Sequence, residues 1–201
     1  IFVAGLGVRY VVLGDDFRFG ADRQGDIAFI REQGLRYGYA TGSTPTFAVQ
    51  GERVSSARIR EALEKADFTA AETLLGRPYS ISGRVIFGRQ LGQTIGTPTA
   101  NLELRRLRAP LSGVYTVEVS GGGLEKAPGV ANVGVRPTVN DSIKANLEVH
   151  LLDREIDLYG RHIEVTFHHK LREEMKFGSV AELRENIERD IEKTRAWFGQ
   201  G

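Results

Sequence analysis

Gly113-Val114-Tyr115-Thr116-Val117-Glu118-Val119 sets Tyr115, Val117 and Val119 against Val114, Thr116 and Glu118 at every second position. A period of two is the mark of a strand with two different faces. Working outward, the same rhythm recurs at Tyr79–Phe87, Thr99–Leu104, Gly129–Val135, Ala145–Leu152 and His162–His168. Six strands with no helical pattern between them predict an antiparallel barrel, a closure that removes unpaired edges. One amphipathic helix should follow. Ser179 and Glu182 form a capping-box pattern, and Val180, Leu183, Ile187, Ile191 and Phe198 share a face.

Upstream the rhythm differs. Tyr10–Gly14 reads as a buried strand ending in a glycine turn, and Gln24–Gly34 as a helix. Thr46–Gln50 reads as a second strand. One helix is expected from Ser55 or Ser56 to about Lys65, and another from an N-cap at Asp67. Strands alternating with helices predict an incomplete parallel α/β sheet. The expected division is an α/β fragment over residues 1–76 and the barrel with its helix over 77–201, joined closely at Gly76-Arg77-Pro78.

Composition narrows the function. Of 201 residues, 27 are Lys or Arg and 26 are Asp or Glu, a balance that argues against a nucleic-acid or anionic-membrane partner. Zero cysteines exclude disulfides, thiolate metal sites and cysteine nucleophiles, and fit a reducing cytoplasm. No apolar run is long enough to span a membrane. The sequence opens on Ile1 and its one Met is Met175, so further chain is expected upstream. His168 and His169 are strand neighbours facing opposite ways, which disfavours a shared metal.

The stretch richest in chemistry is Gly88-Arg89-Gln90-Leu91-Gly92-Gln93-Thr94-Ile95-Gly96-Thr97-Pro98-Thr99-Ala100-Asn101. Glycines permit a close backbone approach, and successive N–H groups can cradle phosphate oxygens. Thr99 and Asn101, two apart in a strand, offer hard oxygens suited to Mg²⁺. Spacing alone also fits a glycine-rich hairpin connection, since neither Walker A nor Gly-x-Gly-x-x-Gly is present.

Resemblance decides between them. Gly-x-x-x-Gly-x-x-x-Gly-x-Pro-Thr-Ala-Asn is similar to the nucleotide loop of the riboflavin kinase family. Leu75-Gly76-Arg77-Pro78-Tyr79, Gly113-Val114-Tyr115, Asn132-Val133-Gly134 and Arg136-Pro137-Thr138 follow in the family's order. So do Leu147–Leu152, Asp157–Gly160, Leu171–Glu174 and Lys176-Phe177. The resemblance spans residues 77 to 198. It implies a six-stranded Greek-key barrel with a C-terminal helix that moves the γ-phosphate of Mg²⁺-ATP onto riboflavin, giving FMN and ADP in the cytoplasm.

The same resemblance assigns roles. Glu148, in the Glu-x-His segment and on the face opposite Leu147, Val149 and Leu151, is the expected general base. Gly88, Arg89, Gly92, Gly96, Pro98, Thr99 and Asn101 are expected at ATP, with Thr99 and Asn101 on the metal. Asn132 and Arg172 are expected at the flavin. Read from residues alone, Glu148 would be a solvated strand residue and Arg172 half of a surface ion pair.

In the first region, Gly14–Gly20, with Asp16 and Phe17, resembles the flavin-side loop of the FMN adenylyltransferase domain of bifunctional bacterial FAD synthetases. Val54–Arg60, with Ser55, Ser56 and Arg60, resembles its phosphate-binding helix start. A Ser cap with a solvated Arg is the plain alternative. That family also carries a His-x-Gly-His segment, whereas the four histidines here are His150, His162, His168 and His169. A longer parent protein is therefore expected to make FAD, and this chain is not. The competing function is a flavin-binding barrel without chemistry. Oligomeric state is not legible in the sequence.

Overall fold

The structure is a computed structural model that describes all residues except 1–2, 89–95, 103, 105–108, 138–142, 155 and 200–201, and no side chains at 135–137 or 143–144. The chain forms two compact units, residues 1–55 and 56–201.

In the first unit, β1 (Tyr10–Gly14) lies parallel to β2 (Ala40–Thr44), with α1 (Ile27–Tyr37) between them in sequence. The parallel α/β expectation is met. The partner strand was not anticipated, because Ala-Thr-Gly-Ser-Thr carries no apolar alternation. α1 starts later than expected, because the Asp26 carboxylate accepts the Phe29 N–H at 2.9 Å and caps the helix there. The strand expected at Thr46–Gln50 shrinks to a hairpin of β3 (Ala48–Val49) and β4 (Glu52–Arg53).

The second unit opens with α2 (Ser56–Glu64) and α3 (Phe68–Leu75), the latter capped by Asp67, whose carboxylate accepts the Ala70 N–H. A closed six-stranded antiparallel barrel follows. Its strands are β5 (Ser80–Ile86), β6 (Ala100–Leu102), β7 (Gly113–Gly121), β8 (Leu124–Pro137), β9 (Ile143–Leu151) and β10 (His162–Arg172). Their order around the barrel is β10-β5-β6-β9-β8-β7. β7, β8 and β9 are consecutive neighbours and β9 returns beside β6, which is the Greek key.

Alternate residues of each strand fill the barrel. Val85, Leu102, Tyr115, Val117, Val119, Leu147, Val149, Val165 and Phe167 are all buried. One end is closed by an aromatic cluster. Phe68 of α3 stacks on Phe167 at 6.2 Å and meets Tyr115 edge-on at 5.9 Å, and Tyr79 packs on Phe167 at 5.9 Å. Burial pushes the Tyr115 phenol up to about 12, so it stays neutral and donates to the Ser112 carbonyl at 2.6 Å. With Leu63 and Ala71 also in this core, both helices belong with the barrel. The compact unit thus begins at Ser56, whereas the sequence reading draws its boundary at Gly76. The reason is apolar packing across Gly76, which strand and helix rhythm does not reveal.

α4 (Val180–Phe198) lies on the outer face of β7 and β8. Ser179 caps it, accepting the Glu182 N–H at 3.2 Å, while the Glu182 carboxylate accepts the Gly178 N–H at 2.8 Å. Its deepest residues are Asp190 and Thr194, and the Thr194 hydroxyl meets that of Thr116 at 3.1 Å. Val180, expected on the buried face, is exposed.

Candidate active site

The pairing of β6, β9 and β8 builds the site. Glu148 stands opposite Asn101 on one side and opposite Asn132 on the other. Directly opposed residues of antiparallel strands share a face, with Cβ atoms about 5 Å apart. These three polar side chains, distant in sequence, therefore form one row on the outer face of the barrel. Leu147 and Val149 point inward, as alternation requires.

The row contains oxygens in search of partners. Asn101 is 5% exposed, and its Oδ1 finds no hydrogen-bond partner among the described residues. The same holds for Asn132 Oδ1 and for the Thr97 hydroxyl. A buried acceptor left unpaired costs about 1–3 kcal/mol, a cost that a ligand can remove. Glu148 is held differently. Asn146, two residues away on the same face, donates its Nδ2–H to Glu148 Oε1 at 2.9 Å. That hydrogen bond restrains the carboxylate on the outer face.

Gly88 explains part of the glycine pattern. A Cβ there would collide with the Asn101 side-chain amide, so only glycine lets the end of β5 pass over it. Arg89 and Gly92, expected on the nucleotide, lie outside the described residues. Gly96, Pro98 and Thr99 are described. They border a cavity of about 640 Å³ at the barrel end away from Phe68, together with Val85, Val149, Leu151, Arg154, Ile156, Asp157, Leu158 and Tyr159. Phe87 stacks on Tyr159 at 4.0 Å, beside this cavity.

Sequence reasoning missed this cavity and also a link made by His150. Its Nδ1 lies 2.9 Å from the Pro98 carbonyl. A carbonyl only accepts, so Nδ1 carries the proton. The bond ties the strand of Glu148 to the segment that leads through Thr99 into β6. The sequence signal was the histidine two residues after Glu148, on the same strand face.

Arg172 stands in the same line of paired residues, opposite Val114, which stands opposite Asn132. Its guanidinium is engaged with Asp190 of α4 at 2.8 Å, a buried partner rather than the surface one the sequence suggests. A smaller cavity of about 400 Å³ adjoins Gly134, lined also by Glu64, Leu111, Ser112, Lys170 and Glu173.

The other sequence candidates are distributed between the units. In the first, Asp16 pairs with Arg53, and the exposed Phe17 stacks on Phe19 at 5.9 Å. Neighbouring Asp15 accepts the Thr46 hydroxyl at 2.6 Å and its N–H at 2.8 Å, and these bonds hold its carboxyl below the usual range. Ser55 ends this unit. Ser56 opens α2 in the second, with the exposed Arg60 one turn on.

Comparison with known proteins adds the family. The pattern described as riboflavin kinase matches residues 75–198, most of the chain. The chain belongs to the riboflavin kinase family. A second pattern, FAD synthetase, matches residues 1–58. The chain is 50% identical over 199 residues to an Escherichia coli K12 protein named bifunctional riboflavin kinase/FMN adenylyltransferase. A Pseudomonas fluorescens protein of the same name is 51% identical over 196 residues. These alignments cover 99% and 98% of this chain but 63% of each relative, so the chain spans under two thirds of their length. A Streptococcus pneumoniae crystal structure titled macrolide-efflux protein superposes with a TM-score of 0.69 at 32% identity, covering 93% of this chain and 60% of that one. Among the described residues, no helix is long and apolar enough to cross a membrane.

Proposed function

We propose that the barrel unit phosphorylates riboflavin. The 5′-hydroxyl of the ribityl chain attacks the γ-phosphorus of ATP, a new O–P bond forms, the bridging bond to the β-phosphate breaks, and FMN and ADP result. The observation that carries this reading is the row Asn101–Glu148–Asn132, a carboxylate flanked by two amides whose buried oxygens lack partners among the described residues. Residues 1–76 and 77–201 are then the back part of an FMN adenylyltransferase domain and the kinase proper.

In this mechanism Glu148 takes the proton of the attacking hydroxyl. Asn146 holds that carboxylate by its side-chain hydrogen bond. Thr99 and Asn101, a hydroxyl and an amide oxygen, are hard donors that would hold Mg²⁺. The buried Asn101 Oδ1, without a hydrogen-bond partner among the described residues, is an oxygen donor still open to such an ion. Mg²⁺, when bound, would neutralise charge on the transferring phosphoryl group. The cavity at the barrel mouth has room for the nucleoside, and its lip at Pro98 and Thr99 leads to the outer face where Glu148 stands. The flavin would lie on the other side of Glu148, beyond Asn132, where the cavity by Gly134 offers space for a ring. ATP and riboflavin as substrates suit a cytoplasmic enzyme. A longer parent resembling the bifunctional relatives would also adenylylate FMN.

The test is conversion of riboflavin to FMN by this chain with ATP at varied magnesium. Thr99→Ala should weaken magnesium-dependent nucleotide binding about tenfold, the order of one lost ligand or second-shell partner. An unchanged magnesium dependence would remove Thr99 from the metal site, and no FMN at any magnesium concentration would overturn the kinase reading.

A further inference from the structure

Asp190 is the one carboxylate buried to 2% exposure among the described residues. No step above uses it. Arg172 reaches it from the end of β10, with Nε at 3.2 and 3.0 Å from the two carboxylate oxygens and Nη2 at 2.8 Å. A buried carboxylate is tolerated when a fixed guanidinium fork satisfies it, and removing one partner strands the other. The pair is therefore a unit.

Arg172 has further contacts that point one way along the chain. Nη1 donates to the Glu173 carbonyl at 3.1 Å, and the guanidinium lies 5.5 Å from the centre of the Phe177 ring. The segment between, 173–178, has no helix or strand. Its far end is tied by Glu182, which accepts the Gly178 N–H. In its middle, the Glu174 carboxylate packs on β8 at Gly134, so closely that a Cβ on Gly134 would collide with it. Gly134 is two residues from Asn132 on the same face of β8.

Distance excludes a reacting role for Arg172 itself. It is three strand steps from Glu148, through Val114 and Asn132. At about 4.8 Å per step that is roughly 14 Å. Its donors, meanwhile, are turned toward Asp190 and Glu173.

We propose that Arg172 and Asp190 together are a positioning device for the acceptor substrate. The pair anchors residues 173–178 to α4, so that Glu174 and its neighbours wall the face of β8 beside Asn132 and Glu148. Arg172 acts through this segment and does not touch the flavin. The proposal rests on the kinase reading of that face.

The test is a double-mutant cycle in the whole chain: Asp190→Asn, Arg172→Gln and the two together. Riboflavin and ATP are varied separately, and the unfolding midpoint and ADP binding are measured alongside. Each single variant should raise the riboflavin KM about tenfold, with the ATP KM and ADP affinity within about twofold. The double variant should be no worse than the worse single, the signature of a unit. Arg172→Lys, which keeps the charge but loses the fork, should show the same split, and it carries the test if Asp190→Asn does not fold. An effect of Arg172→Gln that Asp190→Asn does not share would mean direct flavin contact and overturn the proposal. So would equal losses for both substrates together with a lowered midpoint, which mark a structural role. A parallel Glu148→Gln assay separates the two readings. Full activity there sinks the kinase base, whereas an inactive Glu148→Gln beside an unchanged riboflavin KM in Asp190→Asn sinks only the positioning role.

Discussion

The unit of residues 1–55 and the barrel unit handle apolar residues in opposite ways. Among the described residues, the barrel unit supplies every apolar side chain of the buried core, from Ala62 to Phe167. Among the described residues the first unit supplies none, and its exposed side chains include Val12, Phe29, Leu35 and Phe47. Its sheets have two strands each, and a two-stranded sheet is marginal by itself in water. A closed barrel, in contrast, leaves no edge and gives every inward residue neighbours from several strands. The difference teaches that, among the described residues, the buried apolar core and the proposed chemistry both fall in residues 56–201.

The largest effect should come from chemistry. Glu148→Gln keeps the shape and removes the base, so riboflavin phosphorylation should fall at least about 100-fold in kcat, the usual scale of a lost proton acceptor. Nucleotide binding measured by calorimetry should remain near normal. A kcat close to that of the unaltered chain would take Glu148 out of the mechanism and blur the contrast between the units.

The next effect is one of packing. Leu63 is 2% exposed in the core shared by α2 and the barrel, whereas Leu35 of α1 is 90% exposed. Leu63→Ala should destabilise by about 2–5 kcal/mol in denaturant unfolding of the barrel signal. Leu35→Ala should stay within about 0.5 kcal/mol. Equal costs would show that residues 1–55 hold a core of their own.

The smallest effect should follow the largest change in the chain. Removing residues 1–55 should leave kcat and both KM values for FMN formation within about twofold, since no element of the proposed site comes from them. A loss beyond tenfold would mean that the kinase depends on the first unit.

The barrel was legible because closure demands alternation. Tyr115, Val117 and Val119 must point inward, and each of the six strands repeats that signal at its own period. β2 escaped because Ala40–Thr44 buries no apolar face, so nothing in its composition had to alternate. The α2–α3 packing escaped because a helical stripe shows that a partner exists without naming it. Asp190 is the instructive miss. It falls on the same stripe as Leu183, Ile187, Ile191 and Thr194, and a charge at a core position is a signal that it has a buried partner. The stripe could not say that the partner was Arg172, which looked like half of a surface pair beside Glu173 and Glu174.

By itself, then, the sequence determined the strands of the barrel, the caps at Asp67 and Ser179, and the residue types able to hold a phosphate, a metal ion and a proton. These are local properties, written in periods of two and 3.6 residues and in short motifs. The tertiary structure decided what stands next to what: Glu148 between Asn101 and Asn132, His150 on the Pro98 carbonyl, Arg172 on Asp190. Such neighbours depend on strand register and on which strand closes against which. Those are set by the packing of the whole barrel, because a slip of one residue would turn every side chain of a strand to its other face.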